Sequence, residues 1–387
     1  MRPLTCTRPK VMIPIANMPI MEHLLIRAIE AGISEFIIIV GYRDDIVRNY
    51  FGSGSKWNVR IEYYQQIRQL GTADALKILS EKLKTNFLVM NGDIIASSED
   101  LNRLASQKNN ALGTIKVNGG QELGYLELDG EQVIEIYEKT ASPPSNLANA
   151  GLYLFTPLIF KAISKTKLSP RGEYEITDSI RIMIENGEYI SSIGIDNWFD
   201  VSYPWDLLSA NEVFLKDLKG QIRGEVEEGA YIKGIVDIGE GTVVRSGSYL
   251  VGPIIIGDNC NIGPNCYIRP STAIGNNCHI GAATEIKNSI VMNNTKIPHH
   301  NYVGDSIIGE SCNLASGTKI ANLRFDKKEI NINCISTKRC KFGAIIGDNV
   351  ETGINSSINT GTMIGNNTLI GPGAVVSDII APESRIF

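Results

Sequence analysis

Ile256-Gly257-Asp258-Asn259-Cys260-Asn261-Ile262-Gly263-Pro264-Asn265-Cys266-Tyr267-Ile268 spells one six-residue unit twice and starts a third. Each unit has an aliphatic residue, a glycine, a turn-forming pair drawn from Asp, Asn and Pro, and a small cysteine. The spacing runs back through Leu250, Val244, Ile238, Ile232 and Val226, and forward through Ile274, Ile280 and Ile286. A period of six is too long for a helix face. It suits short strands that turn corners, with the aliphatic side chain pointing into a prism and Asn or Asp serving the turns. The phase slips between Ile286 and Ile290 and resumes through Tyr302, Ile308, Leu314 and Ile320. A polar stretch from Ala321 to Lys341 interrupts it, and the period returns at Ile346, Thr352, Ile358, Ile364, Ile370 and Val376. The spacing predicts an all-β parallel β-helix with one loop thrown off a corner, a place where function often sits.

Working upstream, the rhythm changes. Met18 to Gly32 reads as an amphipathic helix that stops at a glycine, and Phe36 to Val40 follows as a continuous apolar run. Thr72 to Leu83 reads as a helix, and Phe87 to Met90 as another apolar run. Such runs suit strands covered on both faces, and their alternation with helices predicts a mostly parallel α/β sheet. The chain of 387 residues therefore divides into an α/β domain, 1–218, and a β-helix domain, 219–387.

Composition narrows the function. A net charge of −5 gives no nucleic-acid footprint. No segment approaches the roughly 20 apolar residues of a membrane span. Met1-Arg2-Pro3-Leu4-Thr5 holds no apolar core of a secretory signal. Seven cysteines occur, none in a CxxC pair, and Cys260, Cys266, Cys278 and Cys312 recur inside the repeat. They read as packing thiols, and the default compartment is a reducing cytoplasm.

Two groups of residues could carry chemistry. Asp93 follows the run Phe87–Met90, and Asp200 follows Trp198-Phe199. At strand ends they are either solvated turn residues or a carboxylate pair for Mg²⁺, which takes few protein ligands beside substrate phosphates. His299 and His300 follow the phase slip, in Ile297-Pro298-His299-His300-Asn301-Tyr302-Val303-Gly304-Asp305. They are either exposed loop residues or include a base whose pKa suits proton removal from an amine.

Several blocks, in order, resemble the sugar-1-phosphate nucleotidylyltransferases. They are Arg2-Pro3-Leu4-Thr5 with Arg8-Pro9-Lys10, Gln66 with Gly71-Thr72-Ala73, Gly92-Asp93, Glu138-Lys139, Asn149-Ala150-Gly151, and Phe199-Asp200-Val201 with Pro204-Trp205. Thr140 stands where the family's block has proline. The resemblance implies a Rossmann-like nucleotidyltransferase in which a sugar-1-phosphate attacks the α-phosphorus of UTP or dTTP. Lys10 is then a catalytic charge on the phosphates, and Gln66, Gly71 and Thr72 bind the nucleotide. Gly124, Glu138, Lys139 and Asn149 bind the sugar phosphate, and Asp93 and Asp200 hold Mg²⁺. The family's signature opens with a strand and a Gly-rich phosphate loop that precede the first block here. That predicts in-frame codons for them upstream of Met1.

The histidine block resembles the catalytic segment of glucosamine-1-phosphate acetyltransferases, as fused to uridylyltransferases in the bifunctional GlmU family and its archaeal relatives. The resemblance implies a left-handed β-helix that assembles as a homotrimer and uses acetyl-CoA. His299, with Tyr302 three residues on, is the implied base. Arg269, Lys287, Tyr302, Asn322 and Lys328 are the implied substrate-binding residues, with Asn322 on the amine or the acetyl group. Two other readings compete. One is a nucleotidylyltransferase of the glucose- or mannose-1-phosphate type with a non-catalytic β-helix; the other is a non-catalytic regulatory subunit.

Overall fold

The structure is a computed structural model and describes residues 1–117, 123–138, 140 and 142–387. Its compact units are Ile20–Asp200 and, together, Met1–Pro19 with Val201–Phe387. They cross the sequence division at 218/219, because the segments 1–19 and 201–217 pack on the β-helix. Asn211 shows how. Its carbonyl oxygen accepts from the Ala16 N–H at 2.9 Å, and its amide nitrogen donates to the Ser271 carbonyl at 2.9 Å. Asn17 donates to the Ile274 carbonyl at 2.7 Å. Arg8 is buried and pairs with Asp348 at 2.5 Å, with Glu310 at 3.3 Å.

In Ile20–Asp200 the main sheet has six strands. Their order is Phe87–Met90, Leu147–Phe155, Ala111–Lys116, Ser191–Gly194, Gln132–Glu138, Gly124–Asp129. Leu147–Phe155 is antiparallel to both its neighbours, while Ser191–Gly194 is parallel to Ala111–Lys116. The sheet is thus mixed, which corrects the mostly parallel expectation: apolar runs mark covered strands and say nothing of their direction. Alternation along Leu147–Phe155 divides two cores. Tyr153 and Phe155 face Leu76, Ile159 and Ile180, while Leu152 and Leu154 face Leu24, Leu101 and Leu104. Helices thereby cover both faces.

Glu35–Val40 pairs in parallel with Arg60–Gln65 in a separate two-stranded sheet. Among the described residues no ladder joins it to Phe87–Met90. Ile37, Ile38, Ile39 and all of Phe87–Met90 are consequently half-exposed, not buried as their apolar runs suggest. The first helix spans Ile20–Glu30, and Gly32 beyond it takes φ +90°, the left-handed stop that favours glycine. The second spans only Thr72–Lys77, shorter than expected. Its continuation tightens into three-residue turns, with the Leu79 N–H donating to the Leu76 carbonyl and Lys82 to Leu79.

The repeat region forms three sheets of nine, eight and eight short parallel strands. Partners lie 18 residues apart, as in Ile254↔Thr272 and Ile256↔Ile274. Ile238, Val244, Ile262, Ile268, Ile274 and Ile280 are fully buried in the prism. Asn259, Asn265 and Asn277 hold the corners at φ near +55° to +57°, which asparagine tolerates well. Cys260, Cys266, Cys278 and Cys312 are buried between coils, and burial pushes the Cys266 thiol up to about 11.

The phase slip is two coils shortened to 17 residues, Ala273↔Ile290 and Ile290↔Ile307. This corrects one inward position. Val303, fully buried, fills the prism, and Tyr302 faces outward, because the short corner advances the phase by one residue. Ile307 then pairs with Ile345 and Leu314 with Thr352, so the polar stretch leaves the period intact on both sides. Its hairpin, Asn331–Ile332 with Ile335–Ser336, packs on the solenoid, where a Cβ at Gly361 would stand 2.9 Å from Ile330 and 3.6 Å from Ile332, both buried. Among the described residues no helix is long and apolar enough to cross a membrane.

Candidate active sites

Within Ile20–Asp200, a short bridge brings the two predicted metal ligands together. Ile94–Ile95 pairs antiparallel with Phe199–Asp200, and Asp200 lies opposite Ile94. Asp93 is the residue before Ile94, so the bridge brings the backbones of the two aspartates together from segments about a hundred residues apart. That oxygen-only pair fits Mg²⁺, which keeps water and phosphate on its other positions.

The expected base-reading segment is a tight turn. A Cβ at Gly71 would collide with the Tyr174 carbonyl, and φ there is +108°. The Thr72 hydroxyl accepts from the Ile176 N–H at 3.0 Å, so it caps the helix Ile176–Glu185. Gln66 donates both N–H groups inside the turn, to the Gly71 carbonyl at 3.1 Å and Asp74 at 2.9 Å. Its amide oxygen is left as an acceptor.

Strand pairing gathers three of the expected sugar-phosphate residues. Gly124 lies opposite Glu138, and a Cβ on Gly124 would stand 2.9 Å from a Glu138 carboxylate oxygen and 3.8 Å from the Asn149 Cβ. Asn149 is already engaged. Its amide donates to the Tyr153 hydroxyl at 2.8 Å and accepts from the Gly151 N–H at 2.9 Å, holding an irregular stretch of its strand. Lys139 lies outside the described residues. Two residues that sequence reasoning missed brace this region. A Cβ at Gly151 would lie 2.6 Å from the Asn91 amide, and the Trp198 indole donates to the Ala150 carbonyl at 2.9 Å. Lys10 belongs to the other compact unit, where it opens the short turn Lys10–Met12 behind Pro9.

The β-helix collects its chemistry on one corner. Arg269, Lys287 and Gly304 occupy the same place in successive coils, since Lys287 pairs with Gly304 and the Arg269 N–H donates to the Ile286 carbonyl. The polar loop leaves the solenoid at the corner one coil later. Arg269 pairs with Glu285 at 2.9 Å and lies 5.6 Å over the Tyr267 ring. Lys287 pairs with the buried Asp305 at 2.8 Å, and Asn322 donates to the same carboxylate at 2.5 Å. A Cβ on Gly304 would stand 2.7 Å from both the Tyr302 hydroxyl and the Asn322 amide nitrogen. Burial, then the nearby Glu285 charge, pushes the Tyr302 phenol up, so it keeps its proton at neutral pH. Asp305 and Glu285 carried no signal in the sequence beyond their place in the histidine block and the repeat.

His299 and His300 are exposed on the turn before Tyr302. His300 takes φ +52°, so the pair is not an extended segment, and the His300 carbonyl accepts from the Lys319 ammonium. His279, one coil earlier, has its pKa lowered by burial and then by the charge of His299. Lys328 is exposed on the polar loop, where its N–H donates to Asp326 at 3.2 Å. Arg339 at the loop's far end donates to Ser209 at 2.6 Å and pairs with Glu212 at 3.2 Å, on the helix Asp206–Lys216.

Residues 1–217 match the nucleotidyl transferase family, 250–355 the GMPPB C-terminal domain, and 343–378 the bacterial transferase hexapeptide family of six repeats. A bifunctional protein GlmU of Methanocaldococcus jannaschii is 41% identical over all of this chain and 94% of its own length. One from Methanococcus maripaludis is 46% identical, covering 100% and 93%. A bifunctional sugar-1-phosphate nucleotidylyltransferase/acetyltransferase of Sulfurisphaera tokodaii is 39% identical, covering 97% and 94%. A glucose-1-phosphate thymidylyltransferase structure from Bacillus anthracis aligns with a TM-score of 0.51 at 26% identity, over 57% of this chain and 92% of that one. A nucleotidyltransferase domain followed by a hexapeptide β-helix, matched end to end by these relatives, makes this chain a member of the bifunctional GlmU family.

Proposed function

We propose that the chain makes a UDP-N-acetylhexosamine by two transfers, first acetyl and then uridylyl. The carrying observation is the β-helix corner where Lys287, Tyr302, Asp305 and Asn322 converge. A purely structural solenoid has no use for a buried charge pair and amide on its outer edge, where burying charge costs free energy.

In the acetyl step, Arg269, Lys287 and Lys328 receive the phosphate of glucosamine-1-phosphate. His299 takes a proton from the amine as nitrogen attacks the thioester carbon of acetyl-CoA. The carbon–sulfur bond breaks and coenzyme A leaves as the thiol. Tyr302, which keeps its proton, binds the substrate beside Asn322. In the uridylyl step, a phosphate oxygen of N-acetylglucosamine-1-phosphate attacks the α-phosphorus of UTP and pyrophosphate leaves, with no general base needed because that oxygen is already ionised. Lys10 supplies charge to the phosphates. The amide oxygen of Gln66 suits the N3–H that uracil and thymine share, so dTTP is the alternative donor. Gly124 and Glu138, with Lys139, receive the sugar phosphate beside Asn149. Asp93 and Asp200 would hold Mg²⁺, which supplies charge neutralisation at the triphosphate. A homotrimer through the β-helix and a cytoplasmic setting complete the reading.

A nucleotidylyltransferase with a non-catalytic β-helix is the second reading, favoured by the match of residues 250–355 to the GMPPB C-terminal domain. Thiol release from acetyl-CoA with glucosamine-1-phosphate decides between them. His299→Ala should cut turnover by about 10²–10⁴-fold with little change in substrate affinity, the signature of a base that acts in the transition state. His300→Ala should change it far less. Loss with His300→Ala and retention with His299→Ala would reject the assignment, and no thiol release from the wild type would leave the second reading.

A further inference from the structure

Asp305 sits at the second shortened corner with its carboxylate almost wholly shielded from solvent, the residue being 2% exposed. Three donors surround that carboxylate. Lys287 donates to its two oxygens at 2.8 and 3.2 Å, Asn288 at 2.8 Å and Asn322 at 2.5 Å. An ionised carboxylate accepts and never donates. It therefore obliges Asn322 to turn its NH₂ inward. The same nitrogen faces the Tyr302 hydroxyl. Asp305 thereby holds the Asn322 nitrogen, and no donor among the described residues reaches the Asn322 oxygen, which is left for a ligand.

We propose that Asp305 is a positioning residue that sets the polarity of this corner. It holds Lys287 in place as a cation and turns Asn322 oxygen-outward. The corner is thereby tuned to a ligand with an anionic group and, apart from it, an ammonium or amine, as an amino-sugar phosphate has. The identity of that ligand rests on the acetyl-transfer reading. The geometry also chooses between two roles for Asn322: an outward oxygen receives the substrate N–H and cannot hold an acetyl carbonyl. The competing role for Asp305 is a backbone brace. Its N–H donates to the Lys287 carbonyl at 2.8 Å and its carbonyl accepts from the Gly343 N–H at 2.8 Å. Asparagine keeps those contacts and tolerates the φ of +51° at this position, so an isosteric change separates the two roles.

The experiment is titration calorimetry of the full chain with glucosamine-1-phosphate and with glucose-1-phosphate, whose C2 hydroxyl can donate or accept. The wild type should prefer the amino sugar by about tenfold or more, the range of one charge-assisted hydrogen bond. In Asp305→Asn one of the three donors meets an NH₂, the Asn322 amide is released to turn nitrogen-outward, and the preference should fall to about one. Glucose-1-phosphate affinity should fall less than that for the amino sugar, since that ligand loses only the firm hold on Lys287 at its phosphate, so the ratio of the two affinities is the readout. The double change Asp305→Asn with Asn322→Asp puts a donor at 305 against a carboxylate at 322, whose second oxygen faces the ligand again. It should restore the preference, which a mere brace would not do. Should the single variant unfold, Asn322→Leu removes the same acceptor and must abolish the preference. Retention of the preference in Asp305→Asn or Asn322→Leu, no recovery in the double variant, or no preference in the wild type overturns the proposal. A wild type that prefers the amino sugar yet releases no thiol from acetyl-CoA rejects acetyl transfer and leaves the positioning role standing.

Discussion

The β-helix and the α/β unit answer differently to the same kind of reading. In the β-helix a residue's spatial neighbour lies one coil away, 17 or 18 positions along the chain, so a period in the sequence is also a list of contacts. In Ile20–Asp200, Phe87–Met90 lies against Leu147–Phe155, some sixty residues on, with four strands and a helix among the described residues passed over between them. Nothing local encodes that choice. A solenoid is nearly one-dimensional, with each coil resting on the next, whereas an α/β sheet takes its order from long-range pairing. Sequence periodicity is therefore strong evidence for position in the first and weak evidence in the second.

The comparison can be broken most decisively at the active sites. If the two regions carry separate chemistry, Asp93→Asn or Asp200→Asn should lower pyrophosphate release at least about 100-fold and leave thiol release from acetyl-CoA within about twofold. Equal loss in both assays would mean a shared structural failure and would erase the division.

Stability sharpens it next. Ile280 is fully buried in the prism, whereas Ile38 is half-exposed on a strand with one paired edge. Ile280→Ala should cost roughly 2–5 kcal/mol, and Ile38→Ala only about 1 kcal/mol. Urea unfolding followed by circular dichroism would measure both. Equal costs would mean that the apolar run Phe36–Val40 is covered in solution after all.

The smallest effect concerns a helix start inside the α/β unit. Ser97 caps Ser98–Ala105, accepting from the Asp100 N–H at 3.1 Å and donating to the Asp100 carboxylate at 2.7 Å. Burial alone would push the Asp100 carboxyl up. The Ser97 hydroxyl, the N–H groups of Asn197 and Asp196, and the Arg103 charge outweigh it and hold its pKa below the usual value. A depressed carboxylate stabilises the fold above its unfolded pKa and loses that contribution as pH falls through the folded value. Asp100→Asn should cost about 1 kcal/mol at neutral pH, and the difference from wild type should shrink below about pH 4. A difference that does not vary with pH would reject the charge as its source.

The candidate sites were legible to unequal depth. Asp93 and Asp200 could be named as strand-end carboxylates, yet only the bridge Ile94–Ile95 with Phe199–Asp200 brings them together. Thr72 and Asn149 were legible as members of ordered blocks, but their polar atoms turn out to be engaged with Ile176, Tyr153 and Gly151. Tyr302 was read as an inward residue of the period and faces outward, since a one-residue shortening reverses which side chain of a strand points in.

By itself the sequence determined the solenoid, its inward aliphatic residues outside the shortened corners, the loop at 321–341, and the order of the nucleotidyltransferase blocks. These rest on short-range rules: side-chain alternation, turn chemistry and repeat length. Only the tertiary structure decided that the main sheet is mixed, and that residues 1–19 and 201–217 pack with the β-helix through Arg8, Asn17 and Asn211. It alone decided that Asp305 gathers Lys287 and Asn322. Hydrogen bonds and ion pairs between distant segments depend on which surfaces meet, and a chain records that meeting only once it has folded.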